Sequence, residues 1–187
     1  MDRKREPFFP PDSIMPTREK HAQWISVHSE KFEYLYDNKN DEDTEDFCGK
    51  WLLFLDKENV DEIRGMTDLD YAWQFIKRLV KNNELYAAKC STGWEGEYVA
   101  KPGSSSGVIC CYTCDYTDKK DVKRAADVIR GVYYYPTNMF YKTDNVTYAG
   151  RYRHLGDKFV STYKHTLDNK MYERDPVVRY QWNLVNA

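Results

Sequence analysis

The chain has 187 residues, of which 41% are hydrophobic and 31% are charged. This length and composition predict a single folded domain and exclude an intrinsically disordered protein. The formal net charge of −2 argues against indiscriminate binding of polyanions, although it is compatible with a local basic pocket. No apolar run approaches the length of a membrane-spanning helix, so we expect no membrane partner.

Tyrosine is unusually frequent, with 16 Tyr against 8 Phe in the chain. Because Tyr combines a large apolar ring with a polar tip, this excess favours an aromatic-walled groove. The odd number of cysteines, five, in strand-like apolar runs predicts reduced thiols and a cytoplasmic, or also nuclear, location. Cys111 and Cys114 have CxxC spacing, but a strand would direct them to opposite faces, so we expect no metal ion and no cofactor.

The first part of the chain predicts an arm, a strand and a loop. Residues 1–18 contain four prolines among charged residues, which predicts an extended arm. His21–His28 predicts the first strand, with Trp24 as its buried anchor. Ser29–Tyr36 is compatible with a continuation of this strand or with one helical turn. Asp37–Asp46 contains six acidic residues, which predicts a solvated loop.

A first strand-plus-helix unit starts at the apolar run Lys50–Leu55, which predicts a central strand covered on both faces. A turn or a short helical piece follows at 57–63. From Thr67 to Asn82, apolar residues recur at three- and four-residue spacing, which predicts an amphipathic helix. Thr67 or Asp68 would cap this helix, and acidic residues occupy its first turn, where the helix dipole favours them.

A second unit repeats this plan after a strand at Leu85–Thr92 and a loop rich in glycine and serine. Val108–Asp115 predicts its strand. Thr117 or Asp118 would cap the helix that follows, which ends before Pro136.

Three further strands are predicted at Met139–Lys142, within Thr143–Tyr152 and at Phe159–His165, followed by a tail at 175–187 that Trp182 would dock. Helix-linked strands mixed with hairpins predict the α+β class, with a single curved antiparallel β-sheet backed on one face by helices. The domain would span residues 19–174, and the open face of its sheet would be available to a ligand.

Four stretches are similar to those of a known family: GKWLLFLD at 49–56, YAAKCST at 86–92, VICCYTCDYTDKKDV at 108–122 and YKTDNVTYAGRY at 141–152. Over roughly Trp24 to Tyr163 the chain resembles the basophilic-leukemia-expressed protein family, whose fold is like that of the cap-binding translation initiation factor 4E. The resemblance implies an eight-stranded, strongly curved antiparallel sheet backed by helices, which agrees with the order of the predicted elements.

The resemblance also implies a binding face. Initiation-factor relatives hold a methylated guanine between two Trp rings in a cation–π sandwich, bind the base edge with a Glu and bind the phosphates with basic residues. In this chain, the acidic stretch before Gly49, where one such Trp would stand, contains no Trp. Trp94 and Glu95 resemble the missing pair but follow a strand, and Lys89 lies at about the place of the phosphate-contacting residue. We therefore expect a pocket without cap specificity.

The leading functional hypothesis is non-catalytic binding of a nucleotide or a single-stranded RNA end by stacking aromatics and a few basic residues. The expected ligand-binding residues are Lys89, Thr92, Trp94, Glu95, Tyr141, Lys142, Asp144 and Arg151. Lys89 would either extend to the sheet edge or meet an anion on the open face. As an alternative of equal weight, Lys142, Asp144 and Arg151 would form surface ion pairs, which contribute little to the stability of the fold.

Two other classes of function stay open. In a metal-independent phosphodiesterase or nuclease, His154 or His28 would act as general acid and base. Tyr148 and either Lys142 or Lys89 would then stabilise developing charge. The residues alone leave open whether the chain is an enzyme. In a protein-interaction domain, the helical face would bind a partner protein through Trp73. A perturbed pKa of Lys or His in the groove would favour the enzyme, and an exposed Trp73 would favour the interaction domain.

Overall fold

The computed structural model describes residues 14–31, 48–96, 104–152 and 155–187. Ten strands lie within these ranges: β1 (Trp24–His28), β2 (Gly49–Asp56), β3 (Val60–Asp61), β4 (Met66–Thr67), β5 (Ala87–Ser91), β6 (Ser106–Thr113), β7 (Met139–Thr143), β8 (Tyr163–His165), β9 (Met171–Arg174) and β10 (Trp182–Leu184). Three α-helices accompany them: α1 (Asp68–Lys81), α2 (Lys119–Val132) and α3 (Asp144–Tyr148). Most of the predicted arm, the acidic loop at 37–46 and His154 lie outside the described residues.

Eight of these strands form one antiparallel sheet in the order β1-β5-β6-β2-β7-β8-β9-β10, and β3 and β4 form a separate hairpin. The long strands β2 and β6 pair over their full lengths, from Gly49 opposite Thr113 to Asp56 opposite Ser106. Helix α1 connects β2 to β5 across β6, and α2 connects β6 to β7 across β2. The predicted α+β class is confirmed, with a large antiparallel sheet that does not close into a barrel.

Alternation along β2 places the hydrophobic core on one side of the sheet. Trp51 and Leu53 are fully buried, whereas Phe54, which points to the other side, is 56% exposed. Helices α1 and α2 both contribute to the same cluster, through Leu69, Trp73, Ile76, Val122, Ala125 and Ile129. The Trp51 Nε1–H donates to the Val122 carbonyl at 2.9 Å, so its buried polar atom is also satisfied. The helices thus back one face and leave the other open.

Both amphipathic helices begin where the sequence predicts, because their caps are local. The Thr67 Oγ1 accepts a hydrogen bond from the Asp70 N–H at 3.2 Å at the start of α1. The Asp118 carboxylate accepts from two backbone N–H groups in the first turn of α2. The Asp70 Oδ1 also accepts from the Thr17 N–H at 2.9 Å, which holds the short 3₁₀ turn Pro16–Arg18 against α1.

The structure differs from the predicted elements at several places, among them strand β9 and the β3–β4 hairpin, which were not predicted. The segment after β7, predicted as a strand, forms α3 instead, with Asp144 in the first helical turn, where the dipole favours an acid. Part of the predicted tail is strand β10, which places Trp182 opposite Arg174 of β9. Trp24, the expected buried anchor, is half-buried on β1 and faces away from the helices. The position of Trp24 depends on the pairing of β1 with β5, which is distant in sequence.

A buried histidine joins strand β8 of the sheet to α2. His165 of β8 is fully buried, and its Nδ1 accepts from the Arg130 Nε at 3.0 Å. Its Nε2 lies 2.9 Å from the Asp127 Oδ1. Because a guanidinium only donates, the ring is neutral with its proton on Nε2, which donates to Asp127. Burial lowers the pKa of His165, and Asp127 opposes this shift.

We predict that this histidine makes stability fall on acidification. The folded pKa lies below the ordinary value of 6.5, so the unfolded chain takes up the proton first. The contribution of the neutral ring is therefore complete above about pH 6.5 and declines towards pH 5, by at most about 1.4 kcal/mol per pH unit. His165→Gln retains an acceptor towards Arg130 and a donor towards Asp127 but does not titrate. Melting temperatures measured across this range should depend less on pH in the variant than in the wild type, and parallel curves would contradict a buried neutral ring.

Candidate functional site

The open face of the sheet, formed by the strand residues that point away from α1 and α2, is rich in cations. Its basic residues are Lys50, Lys89, Lys142, Lys164 and Arg174, as the pairing register requires. Among the described strands, Asp56 is the acidic residue of this face, and it lies at the end of β2. Its Oδ1 accepts from the backbone N–H groups of Glu58 and Asn59, each at 2.8 Å, and so serves the following turn. A chain with a net charge of −2 therefore has a positively charged sheet face.

Two of these lysines are buried side by side. Lys50 is 6% exposed and Lys142 is 4% exposed, and they lie opposite each other on β2 and β7. Asp144, 9% exposed, forms an ion pair with the Lys50 ammonium through its Oδ1. Two cations thus share one nearby carboxylate in a dry environment. Burial and the charge of Lys50 lower the pKa of Lys142 to about 8.

The segment that follows α3 covers this lysine pair. The Lys142 Nζ donates to the Arg151 carbonyl at 2.7 Å and lies 3.8 Å from the centroid of the Tyr152 ring. The Arg151 side chain turns towards Asp157, with 3.4 Å between its Nε and the Asp157 Oδ1. At this end of the open face, the lysines therefore contribute positive potential and do not contact a ligand directly.

Lys89 is the predicted site residue that stays open to a ligand. Its Nζ lies 4.6 Å from the ring centroid of Trp24 and 5.7 Å from that of Tyr112, and the side chain is half-buried. Within the described ranges it forms neither a hydrogen bond nor an ion pair. We call Lys89, Trp24 and Tyr112 the proximal lysine unit. The Lys50 ammonium lies 5.4 Å from the same Tyr112 ring, so the unit adjoins the buried lysine pair.

Burial and the neighbouring lysines have opposite effects on the pKa of the thiol next to Lys89. Cys110 lies directly opposite Lys89 on β6 and is 4% exposed. Burial raises its pKa to about 11, against the opposing effect of Lys89 and the other lysines. The cysteine is therefore a neutral part of the floor, and the positive charge beside it is not compensated by a thiolate.

Other predicted ligand residues lie away from this face or have structural roles. Tyr141 is fully buried on the helical side, where its hydroxyl lies 2.6 Å from the Thr113 Oγ1. Thr92 is 4% exposed, donates through its hydroxyl to the Ala22 carbonyl and accepts from the Trp94 N–H at 3.2 Å. Its neighbours Trp94 and Glu95 follow β5, at the end away from the buried lysine pair.

The expected catalytic residues are not brought together around a shared point in the described structure. Lys142 is buried, Tyr148 is 67% exposed on α3, and His154 lies outside the described residues. His28 is exposed at the end of β1. Trp73, the expected anchor for a partner protein, is 2% exposed in the core.

The sequence prediction missed several residues of the open face, namely Trp24, Lys50, Tyr112, Lys164, Arg174 and Trp182. For Lys50 and Tyr112 a signal was present, because each lies at an even-numbered position of a strand in which residues 51, 53 and 55, or 109 and 111, are apolar. Lys164 and Trp182 gave no such signal, since their strands have three residues each. Within the described residues, no group of three or more His, Cys, Asp or Glu is arranged to hold a metal ion. The helices described are all too short or too polar to cross a membrane.

A family model for basophilic leukemia-expressed protein Bles03 matches residues 38–150 of the chain. Because this match covers more than half of the 187 residues, the chain belongs to that family, and the family inferred from the motifs is confirmed. The matched range includes the buried lysine pair together with Lys89 and Tyr112.

We predict that Lys142 lowers the stability of the protein near neutral pH. Lys142→Met keeps the length of the side chain and removes a buried charge, so it should stabilise the fold by roughly 1–2 kcal/mol at pH 7. Since the folded pKa of about 8 lies below the ordinary 10.5, wild-type stability should rise between these values. The advantage of the variant should therefore be largest below about pH 8 and shrink towards pH 10 in thermal unfolding experiments.

The matched control is Lys120→Met, which makes the same change at an exposed position of α2. It should shift the melting temperature little and without dependence on pH over this range. A Lys142→Met protein that is less stable than the wild type at pH 7 would mean that the bond to the Arg151 carbonyl and the contact with Tyr152 outweigh the cost of burying the charge.

Proposed function

We propose that this member of the basophilic leukemia-expressed protein family binds a nucleotide or the end of an RNA strand on the open face of its sheet. The observation that carries the proposal is the proximal lysine unit, in which the Lys89 ammonium lies between two aromatic rings and has no anionic partner among the described residues. A half-buried ammonium without a carboxylate favours an anion from solution. A phosphate oxygen is an acceptor that matches this donor.

The rings and the neighbouring charges support the same ligand. Trp24 and Tyr112 offer flat apolar faces on which a base can stack, and such contacts contribute about 1–3 kcal/mol per base. Lys50 and Lys142 add positive potential behind the unit, and Asp144 forms an ion pair with Lys50. Because these lysines are buried or half-buried, their potential is screened less than that of fully exposed charges. A small anion with an aromatic base therefore fits the unit better than a neutral ligand does.

Selectivity for a methylated base is not part of the proposal. In the described structure the Trp94 ring packs against its own loop, since a Cβ added at Gly96 would lie 1.8 Å from a ring atom of Trp94. Glu95 is exposed beside it. The ring is thus engaged locally and does not form one wall of a sandwich around Lys89. We expect methylated and unmethylated guanine nucleotides to bind with similar affinity.

One observation favours catalysis as a second candidate function. The pKa of Lys142 is lowered to about 8, which brings an amine close to the range in which it exchanges a proton at neutral pH. Such a lysine would serve as a general acid towards a phosphate ester bound at the neighbouring unit. The buried position of Lys142, 4% exposed, requires the segment around Tyr152 to move before the amine reaches a ligand. The binding proposal needs no such movement and is therefore preferred.

The interaction-domain hypothesis depended on an exposed Trp73. With Trp73 2% exposed and packed in the core, the helical face lacks the anchor that this hypothesis named. We do not pursue it.

We predict that guanosine and adenosine mono-, di- and triphosphates raise the melting temperature of the protein, and that Lys89→Gln roughly halves this rise at the same nucleotide concentration. A ligand at a hundred times its Kd stabilises the fold by about 2.7 kcal/mol, because it binds only the folded chain. For a chain of this size the rise would be roughly 5–10 °C. Calorimetric titration should give a Kd that is about tenfold higher in Lys89→Gln than in the wild type, which corresponds to about 1.4 kcal/mol.

Lys120→Gln, with the same loss of charge on the helical side, should bind as the wild type does. Analysis of the recovered nucleotide separates the two candidate functions, since an intact nucleotide supports binding and a hydrolysed one supports catalysis. A wild-type protein whose melting temperature is unchanged by nucleotides and by capped or uncapped short RNAs would overturn both.

A further inference from the structure

A second lysine between two aromatic rings lies on the far side of the same face. The Lys164 Nζ of β8 is 4.9 Å from the ring centroid of Tyr172 and 4.8 Å from that of Trp182. Within the described residues, Lys164 has no hydrogen bond and no ion pair. Burial and the charge of Arg174 lower the pKa of Lys164. We call Lys164, Tyr172 and Trp182 the distal lysine unit, and it repeats the Lys–Trp–Tyr composition of the proximal one.

The two units are the ends of one row of paired residues across the sheet. The register pairs Lys89 with Cys110, Cys110 with Leu52, Leu52 with Phe140, and Phe140 with Lys164. Four strand-to-strand spacings of about 4.8 Å separate the backbones of the two lysines, which is about 19 Å. The row thus has a cation at each end and an apolar floor of Leu52 and Phe140 between them.

Arg174 extends the distal end. Its guanidinium carbon lies 4.1 Å from the Trp182 ring centroid and 5.4 Å from that of Phe159. Its Nε donates to the Ser161 carbonyl at 2.7 Å and its Nη1 to the Arg179 carbonyl at 2.7 Å. These bonds hold the guanidinium beside the indole, so Arg174 and Trp182 are positioned before any ligand arrives. The Phe140 ring, 6.3 Å from Trp182, joins this aromatic group to the floor of the row.

We propose that the open face binds a single strand of nucleic acid that runs from the proximal to the distal lysine unit, with phosphates at Lys89 and Lys164 and bases on the aromatic floor. This inference rests on the proposed nucleotide function and names its ligand as an oligonucleotide. At the stacked rise of about 3.4 Å per nucleotide, the distance of about 19 Å corresponds to five or six nucleotides. A mononucleotide would reach one unit, and a strand of this length reaches both.

Charge and ring chemistry favour a nucleic acid strand over an acidic peptide. Both would be attracted to the cations, but only the nucleic acid alternates an anion with a flat aromatic group at every step of the chain. Half-buried Trp and Tyr rings beside lysines match this alternation, and stacking on such rings tolerates any base. The face offers few carboxylates that would recognise base edges, so we expect length to affect affinity more than sequence does.

The experiment is a titration of the full chain with fluorescein-labelled oligouridylates of two, four, six and ten nucleotides, followed by fluorescence anisotropy, with uridine triphosphate as competitor. Affinity should rise at least tenfold between two and six nucleotides and change little beyond six. Lys164→Gln should weaken binding of the six-nucleotide strand about tenfold and leave nucleoside triphosphate binding unchanged, whereas Lys89→Gln should weaken both. For the six-nucleotide strand, log K falls as the salt concentration rises. The slope of log K against log salt should be less steep by about 0.7 in Lys164→Gln, as expected for one lost phosphate contact.

Two further variants separate the possible results. Lys120→Gln on α2 should retain wild-type affinity for every strand, and Trp182→Leu should weaken the six-nucleotide strand as Lys164→Gln does. Six nucleotides that bind no tighter than two, or that bind equally well to Lys164→Gln, would overturn the strand proposal while the nucleotide function stands. A wild-type protein that binds neither nucleoside triphosphates nor any strand would overturn both proposals together.

Discussion

The pairing of β2 with β6 and β7 is the constraint on which the rest of the structure depends. Because side chains alternate along a strand, this register directs Trp51 and Leu53 towards the helices and, by the same geometry, Lys50 towards the open face. A slip of one residue would move Lys50 into the hydrophobic core and Trp51 into the groove. The energy of the core therefore fixes the register, and the register in turn fixes where the cations lie.

Burying the two lysines of the pair costs free energy of folding. Lys50 and Lys142 lie on neighbouring strands with Asp144 as the nearby carboxylate, and burial with mutual repulsion lowers the pKa of Lys142. Apolar side chains of similar size would fill the same space at lower cost, since they need no desolvated charge. A protein with a large apolar core can accept such a loss of folding stability. Losses of this kind are typical of sites in which activity and stability oppose each other. The positive potential of the face is thus better explained by a ligand than by the stability of the fold.

Periodicity and capping predicted the parts of the structure that depend on neighbours in sequence. Helices α1 and α2 were predicted because their apolar spacing and their caps, Thr67 and Asp118, are local signals. The site was predicted only in part, since which of two adjacent residues faces the groove depends on pairing partners that are distant in sequence. Tyr141 and Lys142 were both expected at the ligand, and β7 directs them to opposite faces. Lys164 was missed because only the order of the strands, which no local pattern contains, brings it into line with Lys89.

The order of the strands also explains why a sheet of this kind would select a ligand by its length. In a straight row across antiparallel strands, each added strand moves the next side chain by about 4.8 Å, so the distance between two units is set by the backbone and not by flexible side chains. Lys89 and Lys164 have four such steps between them, with ring contacts that restrict each ammonium. The floor between them is apolar and offers few groups for reading base edges. A face built in this way would therefore discriminate between short and long strands through spacing, and would accept different sequences because stacking depends little on base identity.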